Sequence, residues 1–274
     1  MHFDLIQSIS LAGSSSTPND DRAGAADTLA WVIDGATDLG PPGLMGARGG
    51  AAWLAAEAHA GFLAATDAPI DRICRKLATD LEARYLATRT REPIGRWELP
   101  MASMLAVRLS GDMLECAWLG DCAGLVRSGD HIVRLGPPRQ AKDAEAQMAI
   151  GLAQHGLGNV KRSAPIVDEL RRSRSGLDKR ILGVEAETMT SLEAATLTCK
   201  AGDDVLLMSD GFSALIDGYA MLGEAELMDA LNDEGLAALA VRLRATEAGD
   251  AACTRFPRFK ASDDATALWL RVGG

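Results

Sequence analysis

Two short apolar runs stand out along the chain. Leu29-Ala30-Trp31-Val32-Ile33 closes on Asp34-Gly35, and Val205-Leu206-Leu207-Met208 closes on Ser209-Asp210-Gly211. Runs of this length bounded by turn residues predict buried strands. A third run, 265–272, is introduced by Asp263-Asp264, and residues 3–11 mix apolar and polar positions as a strand would. Gly111-Asp112 between 104–109 and 113–119, and Ser128-Gly129-Asp130 between 123–127 and 131–135, are hairpin signals. Together they predict an antiparallel meander in the middle of the chain. Residues 192–198 add a further strand. Ile70, Ile73, Cys74, Leu77, Leu81 and Tyr85 recur at helical spacing, which predicts an amphipathic helix over 69–88. The Ala-rich stretch 47–65 and segments 222–232 and 235–248 also read as helices. Residues 139–175 read as two helices, interrupted by Gly156, Gly158 and Pro165.

No repeat or linker divides the chain, so 1–274 is expected to be one α+β domain. It should have mostly antiparallel sheets with helices outside, and 139–175 as a helical flap or insertion. At this length a chain buries roughly 75% of its unfolded surface and needs no covalent staples. Twenty-eight Lys plus Arg against 38 Asp plus Glu give a net charge of −10, which argues against nucleic acid or an anionic membrane as partner. The N-terminus lacks the basic and apolar segments of a secretory signal, and no apolar window reaches membrane-spanning length. Cys74, Cys116, Cys122, Cys199 and Cys253 are odd in number and form no Cys-x-x-Cys pair, which fits a reduced, cytoplasmic location. A monomer is expected.

The chemistry lies in the carboxylates. Asp34 and Asp210 each end a buried strand, Asp263 stands at the entrance to the last one, and Asp20-Asp21 lies in a polar loop. Strand ends bring side chains to the rim of a sheet. Carboxylates converging there repel one another unless a cation neutralises them. Hard oxygen ligands of this kind suit Mg²⁺ or Mn²⁺, and a pair of such ions activates water and holds a phosphoryl group.

Six segments in order resemble the type 2C family of metal-dependent Ser/Thr protein phosphatases. They are Asn19-Asp20-Asp21-Arg22, Val32-Ile33-Asp34-Gly35, the strand from Ser103 leading to Leu119-Gly120-Asp121, Lys179-Arg180-Ile181-Leu182-Gly183, Met208-Ser209-Asp210-Gly211-Phe212 and Asp263-Asp264-Ala265-Thr266. The resemblance implies a four-layer α-β-β-α sandwich with a dinuclear Mn²⁺ or Mg²⁺ centre. On it, Asp34 bridges both ions, the Gly35 carbonyl and Asp20 serve one, and Asp210 and Asp263 serve the other. Asp21 is a direct or outer partner, and Asp121 is available to a third ion. A metal-bridging hydroxide would attack the phosphorus of a phosphorylated protein substrate, which places Asp34, Asp21 and Asp210 at the catalytic centre.

The chain also departs from the family pattern. Ser16 stands where an Arg holds the phosphate, Ala36 where a His is common, Ser213-Ala214 where a Trp-Asp pair follows, and Cys122-Ala123 within the Gly-Asp-Ser-Arg segment. The departures fall on the phosphate clamp and the third metal. Arg22, Arg48, Arg255, Arg258 and Lys260 are the candidate replacements for the missing cation. Two further readings follow: a phosphatase-like binding or regulatory module, and a small-molecule phosphomonoesterase on the same centre.

Overall fold

The computed structural model describes residues 1–139, 143–159, 162–176 and 180–274. Lys179 of the 179–183 segment lies outside the described residues, as do 140–142 and 160–161 of the insertion. The first sheet has the order β2 (Arg22–Ala25), β3 (Leu29–Gly35), β4 (Met101–Ser110), β5 (Met113–Leu119), β9 (Glu193–Thr198), and β8 (Leu182–Gly183) pairs with the start of β4. The second has the order β1 (His2–Leu11), β11 (Ala265–Gly273), β10 (Asp204–Met208), β6 (Ala123–Ser128), β7 (His131–Leu135). Every pairing in both is antiparallel.

The continuous apolar runs have a simple cause: both faces of the central strands are covered. Along β3, Trp31 and Ile33 point to helices α1 (Gly50–Leu63) and α2 (Ile70–Thr88), while Ala30 and Val32 point to the other sheet. Along β10, Leu206 and Met208 meet α5 (Asp210–Ser213) and α6 (Glu224–Gly249), while Val205 and Leu207 meet the first sheet. Leu105, Val107, Leu268 and Leu270 complete the inter-sheet core. Each fully buried aliphatic side chain there contributes about 1.5–3 kcal/mol of transfer free energy. The result is four layers, helix, sheet, sheet, helix. Among the described residues no helix is long and apolar enough to cross a membrane.

One expectation needs correction. The predicted meander is split: β4 and β5 belong to the first sheet, β6 and β7 to the second, and the chain crosses between them at Gly120-Asp121-Cys122. Apolar patterning reports that a strand is buried on two faces, not which sheet owns it. The helices expected at 222–232 and 235–248 are both present along α6, separated by the non-helical Gly235 (φ 79°, ψ 172°). The Leu236 N–H freed by the bend donates to Gln7 Oε1 at 2.7 Å. The insertion holds α3 (Asp143–Gly151) and α4 (Ala164–Arg174), joined to the 253–264 loop by a small core of Ala149, Ile166 and Phe259.

Candidate metal centre

The two sheets deliver their carboxylates to one end of the sandwich. Asp34 occupies the next-to-last position of β3, Asp121 lies in the crossing between sheets, and Asp210 opens α5 straight after β10. One carboxylate oxygen from each of the three falls within 4.8 Å of the others. Asp34 is tied to the second sheet by the Asp210 N–H, which donates to its Oδ2 at 3.2 Å. Asp121 is aimed by Ser103, the residue paired with Asp34 across the ladder, whose hydroxyl donates to Asp121 Oδ1 at 2.6 Å.

Asp21 approaches from the polar loop and is only 2% exposed. Neither of its carboxylate oxygens makes a hydrogen bond with a described residue. Burial pushes its pKa up to about 8. The Ser209 and Thr266 hydroxyls lie near enough to moderate that rise, while the charges of Asp210 and Asp264 add to it. Burial also drives Asp34 well above the ordinary carboxylate range, helped by Asp210, Asp21 and Asp121. Asp20 is raised to about 6 by burial, Asp264 and Asp38. Carboxylates placed so that they resist ionisation, two of whose oxygens make no hydrogen bond with a described residue, suit a divalent cation that replaces the missing positive charge.

The loop carrying Asp20 and Asp21 is held by Asp264, whose two carboxylate oxygens accept the Gly13 N–H at 2.8 Å and the Asp20 N–H at 2.7 Å. Asp264 therefore positions the acidic loop. Gly35 lets that loop close in, because a Cβ there would stand 2.8 Å from the Asp20 carbonyl oxygen. Asp263 is set apart from the trio: its Oδ1 pairs with Lys260 Nζ at 2.5 Å. Although burial disfavours its charge, Lys260 holds its pKa below the usual value. Asp217 faces Arg134 at 2.7 Å and Arg139 at 3.6 Å, so its charge is already balanced.

Backbone contact between α5 and the entrance of β11 is equally close. A Cβ on Gly211 would sit 1.9 Å from the Asp264 carbonyl oxygen. Gly211→Ala is thus expected to force the two segments apart, at about 1–3 kcal/mol for the overpacking, and to displace Asp210 and Asp263 together. Thermal unfolding and divalent-ion affinity should fall in the same variant. An unchanged affinity would show that the α5–β11 contact does not set the carboxylate positions.

The candidate cations divide sharply. Arg258 commits its guanidinium to Asp250 Oδ2 at 2.7 Å and to the carbonyls of Glu247, Asp250, Phe256 and Ala261. Its geometry is that of a loop brace. Arg22 turns back onto the carbonyls of Asn19 and Asp21. Arg255 lies over the Phe256 ring, 4.8 Å from its centre. Lys260 is paired with Asp263, and Arg48 is exposed at the rim of a cleft of about 650 Å³ that Asp20, Asp263 and Asp264 also line. Sequence reasoning missed the insertion's arginines. Arg171 donates to the Leu39 carbonyl at 2.7 Å and stacks on Trp97, and Arg174 donates to the Thr37 carbonyl at 2.6 Å. Arg162 lines both this cleft and a second of about 330 Å³ bordered by Asp210. Cys122 packs in the inter-sheet core, where burial drives its thiol pKa well up, which disfavours the reactive thiolate.

The family model for protein phosphatase 2C matches residues 13–244, and the chain belongs to that family of metal-dependent Ser/Thr phosphatases, which are phosphoric monoester hydrolases. No curated protein sequence matches it. Among solved structures it is similar to the serine/threonine phosphatase PstP/Ppp of Mycobacterium tuberculosis, with 18% identity, 100% of each chain covered and a TM-score of 0.61. The catalytic domain of PstP in complex with two manganese ions is 16% identical, covering 100% of this chain and 99% of that one, with a TM-score of 0.57. PppA, described as a key regulatory component of T6SS in Pseudomonas aeruginosa, is 20% identical over 99% of this chain and 98% of its own, with a TM-score of 0.56.

Proposed function

We propose that this chain is a Mn²⁺- or Mg²⁺-dependent phosphatase of phosphoserine and phosphothreonine in proteins. The observation that carries the reading is the convergence of Asp34, Asp121 and Asp210 beside a buried Asp21 whose two carboxylate oxygens make no hydrogen bond with a described residue. Asp34, Asp210, Asp21, Asp20 and the Gly35 carbonyl would hold the ions, with Asp121 within reach of the same group. Asp263 would join them by giving up part of its pairing with Lys260. When bound, a pair of divalent ions supplies a water that ionises near neutral pH and offsets the charge of the phosphate. The protein's own part is positional: Ser103 aims Asp121, the Asp210 N–H orients Asp34, and Asp264 fixes the loop that carries Asp20 and Asp21.

The five free cysteines, all buried, support a reducing compartment such as the cytoplasm. We expect a monomer that meets its phosphorylated protein substrate at the two clefts. Phosphate release from a phosphothreonine peptide should require Mn²⁺ or Mg²⁺ and stop with EDTA. A folded protein that binds metal but releases no phosphate from peptides or small phosphoesters would instead favour the regulatory-module reading.

A further inference from the structure

The chain lacks a cation in the loop before Asp20, where its family holds the phosphate, since Ser16 occupies that place. A phosphate meeting these carboxylates needs a positive group of its own, and bidentate arginine is the strongest partner available. The wall shared by the two clefts is built from three residues, Arg162, Lys260 and Asp263. Asp210 borders one side of it and Asp20 the other. A group on that wall therefore shares one cleft with Asp210 and the other with Asp20.

Of the two cations there, Lys260 is paired with Asp263 at 2.5 Å, and the two would stay partly paired with metal bound. Arg162 makes no hydrogen bond or ion pair with any described residue. It is nonetheless partly buried just ahead of α4. Burial pulls its pKa below the usual value, against the charges of Asp263 and Glu145. Its positive charge in turn helps lower Arg174, whose own burial is the larger cause. A half-buried guanidinium beside other cations, with no acceptor among the described residues, is well placed to take one. A tetrahedral oxyanion supplies one.

We propose that Arg162 grips the phosphoryl oxygens of the substrate, so that the phosphate clamp is delivered by the helical insertion instead of the loop before Asp20. The inference rests on the phosphatase reading for its substrate, though anion binding is measurable without turnover. Two other arginines secure the insertion in place. Arg171 and Arg174 hydrogen-bond the carbonyls of Leu39 and Thr37, in the loop that follows Asp34-Gly35. Clamp and carboxylates are thereby fixed to a common segment.

The test uses the full chain loaded with Mn²⁺, as wild type, Arg162→Ala, Arg162→Gln, Arg162→Lys and the exposed control Arg172→Ala. Arg162→Ala should raise the KM for a phosphothreonine peptide and the inhibition constant of inorganic phosphate by about 10- to 100-fold, the effect of losing one charge-assisted contact. Mn²⁺ affinity by calorimetry and the melting temperature should stay at wild-type values, which a merely structural role would not allow. Arg162→Lys should recover part of the loss, because it keeps charge without the fork. Arg162→Gln gives the same reading if the alanine variant folds poorly. Unchanged KM and phosphate inhibition in both Arg162→Ala and Arg162→Gln would overturn the assignment. If wild type turns over no peptide, the phosphatase reading fails separately. Calorimetric binding of inorganic phosphate to the Mn²⁺-loaded protein then decides: loss in Arg162→Ala sustains the anion site, and equal or absent binding in wild type and variant overturns it.

Discussion

Asp34→Asn and Asp210→Asn are each expected to lower phosphate release on the order of 10³-fold or more, the scale set by single groups that stabilise developing charge. Both residues sit where the two sheets converge, and each offers an oxygen to the same small space. An amide keeps the shape but removes the negative charge that a divalent ion needs. The fold should survive. Asn at position 34 retains an oxygen that accepts the Asp210 N–H, and Asn at position 210 leaves that N–H in place. In metal-free protein the substitutions should be mildly stabilising, because they relieve repulsion with Asp21. A gain near 1 kcal/mol corresponds to roughly 2–4 °C. Kinetics with matched Mn²⁺ and melting curves in EDTA test both halves. Wild-type turnover in either purified variant would remove that residue from the metal centre.

The second large effect links pH, metal and stability. Asp20 and Asp21 have folded pKa values raised to about 6 and about 8, above the unfolded value of 3.8. The folded chain therefore holds protons that the unfolded chain has released. This contribution is complete below about pH 4 and is lost as pH rises through about 6 and then about 8. Metal-free protein should melt at progressively lower temperature across that window. Mn²⁺ should act in the opposite sense, since its ligands bind as carboxylates and its affinity grows as they ionise. At a hundred times its dissociation constant, a single ion binding only the folded state stabilises by about 2.7 kcal/mol. Melting temperatures taken with and without Mn²⁺ between about pH 5 and about pH 8 should diverge as pH increases. Parallel curves, or no Mn²⁺ shift at all, would count against a metal bound by this carboxylate group.

The strands that carry Asp34 and Asp210 were legible in the sequence because both of their faces are buried. Five and four consecutive apolar residues leave little choice of structure. The carboxylates were legible for a related reason: each ends such a run, so its position at the rim follows from the strand's length. β2 was not readable. Arg22-Ala-Gly-Ala is four half-buried residues with no alternation, held in place by its pairing with β3. The split of the central hairpins between sheets was also out of reach, because it depends on a crossing at Gly120–Cys122 that leaves no periodic mark. The arginines of the insertion were hidden differently. On α4 a run such as Arg171, Arg172 and Arg174 looks like a solvated face. Only the packing shows Arg172 paired with Glu169 outside while Arg171 and Arg174 turn to backbone carbonyls.

Asp264 links residues 244 and 251 positions away in the chain through its bonds to Asp20 and Gly13. β11, which follows it directly, lies between β1 and β10. During synthesis the second sheet therefore has a gap between β1 and β10 until the segment 263–273 has left the ribosome. The acidic loop lacks its Asp264 anchor before then. A nascent chain that already carries Asp20, Asp21, Asp34, Asp121 and Asp210 would still lack the part that sets them against one another. Competence for chemistry should thus arise late and all at once, and a ribosome stalled before residue 263 should display an inactive intermediate with an unfilled strand slot.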